Sequence, residues 1–140
     1  MEHTIISVQT TVDLPVEKAW ELWVMPEHVV HWNNASDDWH TPRAVNDLRQ
    51  GGKFNYRMEA RDGSMGFDFE GTYDIVIPND KIEYTIADGR KVIIDFTSHD
   101  QQTHILETFE AESFHTMELQ QQGWQAILDN YKKYAEKNKG

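Results

Sequence analysis

The chain contains no cysteine, and its 13 basic residues are far outnumbered by 24 acidic ones. Without cysteine it can form no disulfide, no thiolate metal site and no cysteine nucleophile, which suits a reducing cytoplasm. The net charge of −11 disfavours nucleic acids and anionic membranes as partners, because both are bound through Lys and Arg. We therefore expect a cytoplasmic protein whose acidic surface keeps it in solution.

Long apolar segments are also missing. No stretch approaches the ~18–20 apolar residues that span a membrane, and the first residues do not form a basic region followed by an apolar run. We expect neither a signal peptide nor membrane insertion. At 140 residues the chain has the length of a single domain, residues 1–140, and we expect a monomer or a weak dimer.

What the chain has instead is aromatic bulk, with five Trp, five Tyr and six Phe. Apolar residues alternate with polar ones from Thr4 to Val12, and again in a series of segments between Trp39 and Phe109, as strands require. Two short helices are predicted after the first strand, from Pro15 and over 27–32, and a long one over 116–137. Six to seven strands in succession, with the helices gathered on one face, predict an α+β domain with an antiparallel sheet.

The glycines mark turns rather than phosphate-binding loops. Asp62-Gly63 and Asp88-Gly89 are hairpin signals, and Gly51-Gly52 follows no parallel strand, so it is interpreted as a turn. Gly123 is different, because it falls inside the long helix, where glycine costs ~1 kcal/mol relative to alanine. We expect a strand or a ligand to approach the helix at that point.

One face of the predicted sheet is consistently aromatic, and only the C-terminal helix is long enough to cover it. A helix is ~10 Å across, whereas six strands at ~4.8 Å spacing span far more, so a cavity can remain beside the helix. Any one of these side chains could belong to an ordinary core, but together they are typical of an apolar ligand site. The candidate ligand-binding residues are Trp39, Phe54, Tyr56, Met58, Met65, Phe67, Phe69, Tyr73, Tyr84, Ile94, Phe96, Glu107, Trp124 and Leu128.

Glu107 is the acidic member of that set and the candidate catalytic group. Ile105 and Phe109 flank it at two-residue spacing, so a regular strand turns all three side chains inward. A buried carboxylate is unfavourable unless it is paired or protonated, and such groups cluster at functional sites. Tyr73 and Tyr84 are candidate hydroxyl partners. The alternative is a bulge that turns Glu107 to solvent.

Four residues within a short segment could in principle ligate a metal, namely His28, His31, Asp38 and His40. Their spacing matches no zinc signature, and solvated positions on a short helix explain the histidines equally well. We expect no metal and no other cofactor. A nucleophile motif such as G-x-S-x-G is also absent from the sequence.

The order of these landmarks resembles a known family over roughly residues 7–134. The chain is similar to the START-like SRPBCC superfamily, and within it to the activators of heat-shock protein 90 ATPase homologues. The landmarks that carry the resemblance are Pro15 with Trp20, Trp32, Asp47-Leu48-Arg49-Gln50-Gly51-Gly52-Lys53-Phe54, Gly71-Thr72-Tyr73, Pro78, Ile82-Glu83-Tyr84-Thr85 and Gly123-Trp124.

The resemblance implies a helix-grip fold of the birch-pollen-allergen type, with a curved sheet wrapped around the C-terminal helix. It also implies hydrophobic ligands such as lipids, polyketide-like aromatics or sterol-like molecules. We favour a non-enzymatic binding or carrier protein for such a molecule. Two alternatives stay open at this stage: an enzyme of the polyketide cyclase or hydrolase type that uses Glu107 with a histidine as acid and base, and a chaperone-associated module.

Overall fold

A computed structural model of the chain describes residues 4–138, within which it contains three helices and one seven-stranded sheet. The strands are β1 (Ile5–Val12), β2 (Trp39–Asn46), β3 (Lys53–Ala60), β4 (Gly66–Ile77), β5 (Lys81–Ile86), β6 (Lys91–His99) and β7 (Gln102–Glu110). The helices are α1 (Val16–Val24), α2 (Pro26–Trp32) and α3 (Met117–Lys137). No helix in the described range is long and apolar enough to cross a bilayer.

The sheet is antiparallel throughout, in the order β1-β7-β6-β5-β4-β3-β2, and it curls around α3. The predicted α+β helix-grip fold is confirmed. Both Asp-Gly pairs close hairpins, since Gly63 and Gly89 have φ angles of 78° and 94°, a region that glycine enters without a steric penalty. Pro15 is the N-cap of α1, so this helix begins one residue later than predicted, and Pro26 is the first residue of α2.

The C-terminal helix is held along the free edge of β1. The Gln125 side chain exchanges two hydrogen bonds with the Gln9 backbone, accepting from its N–H at 3.4 Å and donating to its carbonyl at 3.1 Å. Gln121 Nε2 donates to the Ser7 carbonyl at 3.4 Å. These glutamines occupy backbone groups that would otherwise be open to another strand, and they fix α3 over one side of the sheet.

Helices α1 and α2 close the same side with a cluster of rings. Trp23 contacts Trp32, Phe96 and Tyr131, with ring centres 5.0, 5.8 and 4.8 Å apart. We call Trp20, Trp23, Trp32, Phe96 and Tyr131 the closed cluster; each is at most 9% exposed. Leu128 is fully buried in the same core. These ring contacts pack the two short helices onto this part of the sheet.

A register shift in β4 changes which side chains face inward. Strict alternation from Met65 would carry Ile75 and Ile77 to the same face as Tyr73. Instead the pairing with β5 slips between Tyr73 and Ile75, so Val76 stands opposite Ile82, while Ile75 and Ile77 turn out and are 37% and 46% exposed. A bulge of this kind also adds local twist, which helps the sheet to curl.

Candidate functional site

A cavity of about 800 Å³ lies between the inner face of the sheet and the N-terminal half of α3. Strands β2 to β7 supply its wall, and the end of α1, α2 and the loop after α2 close one end of it. Because α3 lies along β1 at the opposite edge of the sheet, it leaves the β3 and β4 side uncovered. The fold thus places an apolar space where the width of the sheet exceeds that of the helix.

Most of the candidate ligand-binding residues line this cavity. The lining candidates are Trp39, Phe54, Tyr56, Met58, Phe67, Phe69, Tyr73, Tyr84, Ile94, Glu107 and Trp124. Three candidates lie elsewhere, and their assignment to the wall is corrected. Met65 precedes β4 in the hairpin and is 66% exposed, while Phe96 and Leu128 are buried in the core beneath α1 and α2.

Several lining residues were not among the candidates. They are Trp23, Val24, Trp32, Asn33, Ala35, Ile82, Arg90, Glu112, His115, Leu119, Gln120, Gly123 and Ile127. Leu119, Gly123 and Ile127 repeat every four residues on α3, a spacing that puts them on one face, so the sequence carried a signal for them. The residues of α1, α2 and the loops reach the cavity only through the tertiary fold, and no local pattern marks them.

The wall is built around Phe54. Its ring centre lies 5.2 Å from Tyr56, 5.7 Å from Phe69, 5.3 Å from Tyr73 and 4.8 Å from Tyr84. We call these five residues the open cluster. Tilted and edge-on contacts at such distances are favourable for aromatic rings, and they make a continuous apolar surface.

Trp124 forms the opposite wall on α3. Its ring stacks on Phe109 with centres 3.9 Å apart and an interplanar angle of 10°, and its edge meets Phe69 at 6.2 Å. Gly123, one residue earlier, has open space where a Cβ atom would stand: apart from its chain neighbours and the backbone of its own helix, no described atom lies within 4 Å of that position. The glycine therefore widens the cavity, and of the two approaches expected from the sequence no strand comes near it.

The tyrosine hydroxyls at one side of the open cluster are tied to the scaffold. Tyr73 Oη donates to Asn46 Oδ1 at 2.6 Å, and Asn46 Nδ2 donates to the Val24 carbonyl at 2.7 Å. Tyr56 hydrogen-bonds to Tyr73, and burial raises the pKa of the Tyr56 hydroxyl to about 12. These phenols stay neutral at physiological pH and hold the wall to the end of α1.

Glu107 stands on the inner face of β7 and is 6% exposed. Strand β7 pairs with both neighbours without a register shift, and the residues opposite Glu107 are Val8 and Ile94, which are themselves buried. Loss of hydration raises the pKa of the Glu107 carboxyl to about 8. At neutral pH the group is mostly a neutral acid in an apolar wall.

Neither Glu107 nor its neighbour Tyr84 has a hydrogen-bond partner within residues 4–138. Every solvent-inaccessible side-chain N or O atom in that range has a hydrogen-bond partner. Because the Glu107 carboxyl and the Tyr84 hydroxyl have none, their oxygens must be accessible, and they face the cavity. Burial, followed by the charge of Glu107, raises the pKa of Tyr84 well above its ordinary value. Tyr84 and Glu107 thus form a small polar site in an aromatic wall, and neither has a hydrogen-bond partner within residues 4–138.

A second polar group lies where β7 leads into α3. Arg90 Nε donates to Asp88 Oδ2 at 2.8 Å, and Arg90 Nη1 donates to the Glu110 carbonyl at 3.1 Å. His115 Nδ1 lies 2.9 Å from Glu112 Oε2. Although burial acts to raise the pKa of Glu112, the hydrogen bonds from His115 bring it below its ordinary value. Both cationic side chains are therefore already engaged.

Two of the three histidines considered for a metal site, His28 and His31, contact α3. His28 Nδ1 lies 2.7 Å from Tyr134 Oη, and the His31 ring stacks on Tyr134 with centres 5.5 Å apart. No group of three or more His, Asp or Glu side chains within residues 4–138 is arranged to hold a metal ion.

Comparison with known proteins places these features in a family context. The family model described as Activator of Hsp90 ATPase homolog 1-like protein matches residues 13–136. The solution structure of an AHSA1-like protein from Aeromonas hydrophila is similar, with 42% identity and a TM-score of 0.90 over 96% of this chain and 93% of that one. A protein from Cytophaga hutchinsonii has 53% identity and a TM-score of 0.83, over 95% and 92%.

More distant structures share the fold alone. A protein from Nitrosomonas europaea is 17% identical, with a TM-score of 0.82 over 96% of both chains. No curated protein matches the sequence.

Proposed function

The chain belongs to the Activator of Hsp90 ATPase homolog 1-like family, and we propose that it is a non-enzymatic binding protein that holds a hydrophobic small molecule under α3. The observation that carries the proposal is the cavity itself. A volume of about 800 Å³ falls within the ~300–1,000 Å³ typical of small-molecule sites. Protein interiors are otherwise packed with few voids larger than a water molecule, so an apolar space of this size supports the binding of a ligand.

The chemistry of the wall supports the same conclusion. Aromatic and aliphatic side chains predominate, and the polar groups are few and localised, which is the usual composition of a ligand site. The β3 and β4 side offers a route for exchange, because Phe67 is 47% exposed and Leu119 is 57% exposed at the rim. Both residues also line the cavity, so they connect it to solvent through apolar surface.

The enzymatic alternative has one observation in its favour and one against it. A carboxyl with a raised pKa is suited to proton transfer. The histidine that lines the cavity, however, is engaged by Glu112, and no hydrogen bond joins Glu107 to a histidine in the described part of the chain. The contact between Glu107 and a histidine that this alternative uses is therefore not formed in the described part of the chain.

The test is binding of a neutral fluorescent probe, pyrenemethanol, followed by energy transfer from the tryptophans in the wall. We expect saturable binding of one probe per chain and a ligand-dependent gain in stability, about 2.7 kcal/mol at a probe concentration one hundred times Kd. The substitution Gly123→Leu should abolish binding, since its side chain would extend into the open space beside Trp124.

The matched control is Gly123→Ala, which adds a single methyl group. It should retain binding and stabilise the protein by about 1 kcal/mol, because alanine is the better helix former and its Cβ meets no atom. Probe binding that survives Gly123→Leu in a folded protein, or the absence of binding by any apolar probe, would count against the proposal.

A further inference from the structure

We propose that the molecule held in this cavity is an organic cation, an amine whose ammonium group pairs with Glu107 while its apolar body lies against the aromatic wall. This inference rests on the proposed function and adds the charge and class of the ligand. The starting observation is a carboxyl that is 6% exposed, faces the cavity and has no hydrogen bond or ion pair within residues 4–138. Acidic side chains are almost never buried in this way without a partner.

The protein offers Glu107 no compensation from its own fold. Across the strands its neighbours are Val8 and Ile94, and along β7 they are Ile105 and Phe109, all of them buried apolar side chains. Replacing Glu107 by an aliphatic residue would satisfy this environment better. A carboxyl retained at such a point is explained if the bound ligand supplies the missing donor.

The sign of the ligand's charge follows from the other charged groups of the wall. The titratable or charged residues that line the cavity besides Glu107 are Tyr56, Tyr73, Tyr84, Arg90, Glu112 and His115. Arg90 is bound by Asp88, and His115 is bound by Glu112. A carboxylate ligand would thus have to share a cation that already has a carboxylate partner, whereas an ammonium would find a carboxyl with no partner in the described part of the chain.

The aromatic composition favours the same sign. The faces of Trp, Tyr and Phe rings attract cations, most strongly when water is excluded. Trp124 and Tyr84 both line the cavity, and the Tyr84 hydroxyl has no hydrogen-bond partner within residues 4–138, so it can accept a second hydrogen bond from the ammonium. An aromatic enclosure in which Glu107 and Tyr84 present oxygens without hydrogen-bond partners in that range matches the requirements of an amine with an apolar body.

Proton balance makes the proposal measurable. In the empty cavity Glu107 carries its proton at neutral pH, and an ammonium ligand requires the carboxylate. Binding therefore releases one proton to solvent, so the affinity should rise about tenfold per pH unit from about pH 6 to about pH 7.5 and level off near the carboxyl's own pKa. A neutral ligand releases no proton and should show no such rise.

The experiment compares three probes of one shape: pyrenemethylamine, pyrenemethanol and pyrenecarboxylate. At about pH 8 we expect the amine to bind about tenfold to a hundredfold more tightly than the alcohol, as a charge-assisted contact to a buried partner allows, and the carboxylate most weakly. The variant Glu107→Gln should remove both the preference for the amine and its pH dependence, while binding of the alcohol changes less than about threefold.

The control variant is Glu83→Gln, which makes the same change of charge at an ion pair with Lys81 outside the cavity wall. It should leave all three affinities unchanged. Equal affinities for amine and alcohol, or tighter binding of the carboxylate, would overturn the amine assignment and leave the binding function standing. A pH dependence that persists in Glu107→Gln would overturn it as well, and failure of every probe to bind would remove both proposals.

Discussion

Two sets of aromatic side chains, the closed cluster and the open cluster, pack on the same side of one sheet, yet they have different roles. Rings in the closed cluster pack tightly against one another, with Trp32 and Trp23 each in contact with Tyr131, although Trp23 and Trp32 also border the cavity. Rings in the open cluster touch one another through Phe54 but present their other side to a cavity. The residue types are alike, so the difference comes from what covers them.

The cover is provided by helix placement. α1 and α2 follow β1 directly and pack onto the end of the sheet, where Trp20 and Trp23 contact Phe96. α3 is held at the β1 edge by its glutamines, and it cannot also reach β3. The packed core and the apolar cavity wall are thus both built from aromatic residues. Whether an aromatic side chain belongs to the core or to the wall depends on whether a helix lies close enough to cover it.

The largest expected effect is a difference in the free energy of unfolding between Phe→Ala variants of the two clusters. Phe96→Ala should cost about 3–5 kcal/mol of the free energy of unfolding, because it leaves a void in packed protein. Phe69→Ala should cost less than about 2 kcal/mol, since Phe69 is only half-buried and one side of its ring already faces the cavity. Urea denaturation of both variants measures the difference, and equal losses would remove the distinction between core and wall.

A second comparison concerns the pH dependence of stability. The folded-state pKa of Glu107 is about 8 and its ordinary value is 4.5, so the folded protein binds this proton more tightly than the unfolded chain. The stabilisation is complete below the ordinary pKa and is lost as the pH rises through about 8. The loss is about 3 kcal/mol between about pH 5 and about pH 8.

The variant Glu107→Gln isolates this contribution. The stability of Glu107→Gln relative to the native protein should rise with pH by the same amount, because glutamine has no proton to lose. The outward-facing Glu83→Gln, measured in parallel, should show no comparable trend, as its carboxyl is partly exposed and paired with Lys81. Parallel stability curves for the native protein and Glu107→Gln would mean that the carboxyl is hydrated, and Glu107 would no longer belong to the wall.

Sequence patterns predicted the fold well and the site in part, for physical reasons. The Asp-Gly turns and the periodicity of α3 are local signals, and the two-residue period of β7 was sufficient to indicate that Glu107 points inward. The two-residue period alone places Ile75 on the inner face, whereas the structure turns it outward. The cause is a bulge, a change of backbone pairing that leaves no trace in the alternation of polar and apolar residues. The same period also placed Phe96 in the wall, whereas its position in the core depends on helices that are distant along the chain.

The smallest expected effect is a difference in stability between two Tyr→Phe variants, one in the closed cluster and one in the open cluster. Tyr131 is fully buried, and its hydroxyl donates to the Ala19 carbonyl at 2.6 Å, so Tyr131→Phe should cost about 1–1.5 kcal/mol of stability. Tyr84 is almost as buried, but its hydroxyl has no partner in the described range. Tyr84→Phe should therefore change stability by less than about 0.5 kcal/mol, or increase it, because no hydrogen bond is lost and a poorly hydrated hydroxyl is removed. Denaturation curves for the two variants, with near-ultraviolet circular dichroism to verify native packing, make the comparison at constant side-chain shape. If Tyr84→Phe were as costly as Tyr131→Phe, the Tyr84 hydroxyl would have a protein partner, and the open cluster would have to be regarded as a second packed core instead of a cavity wall.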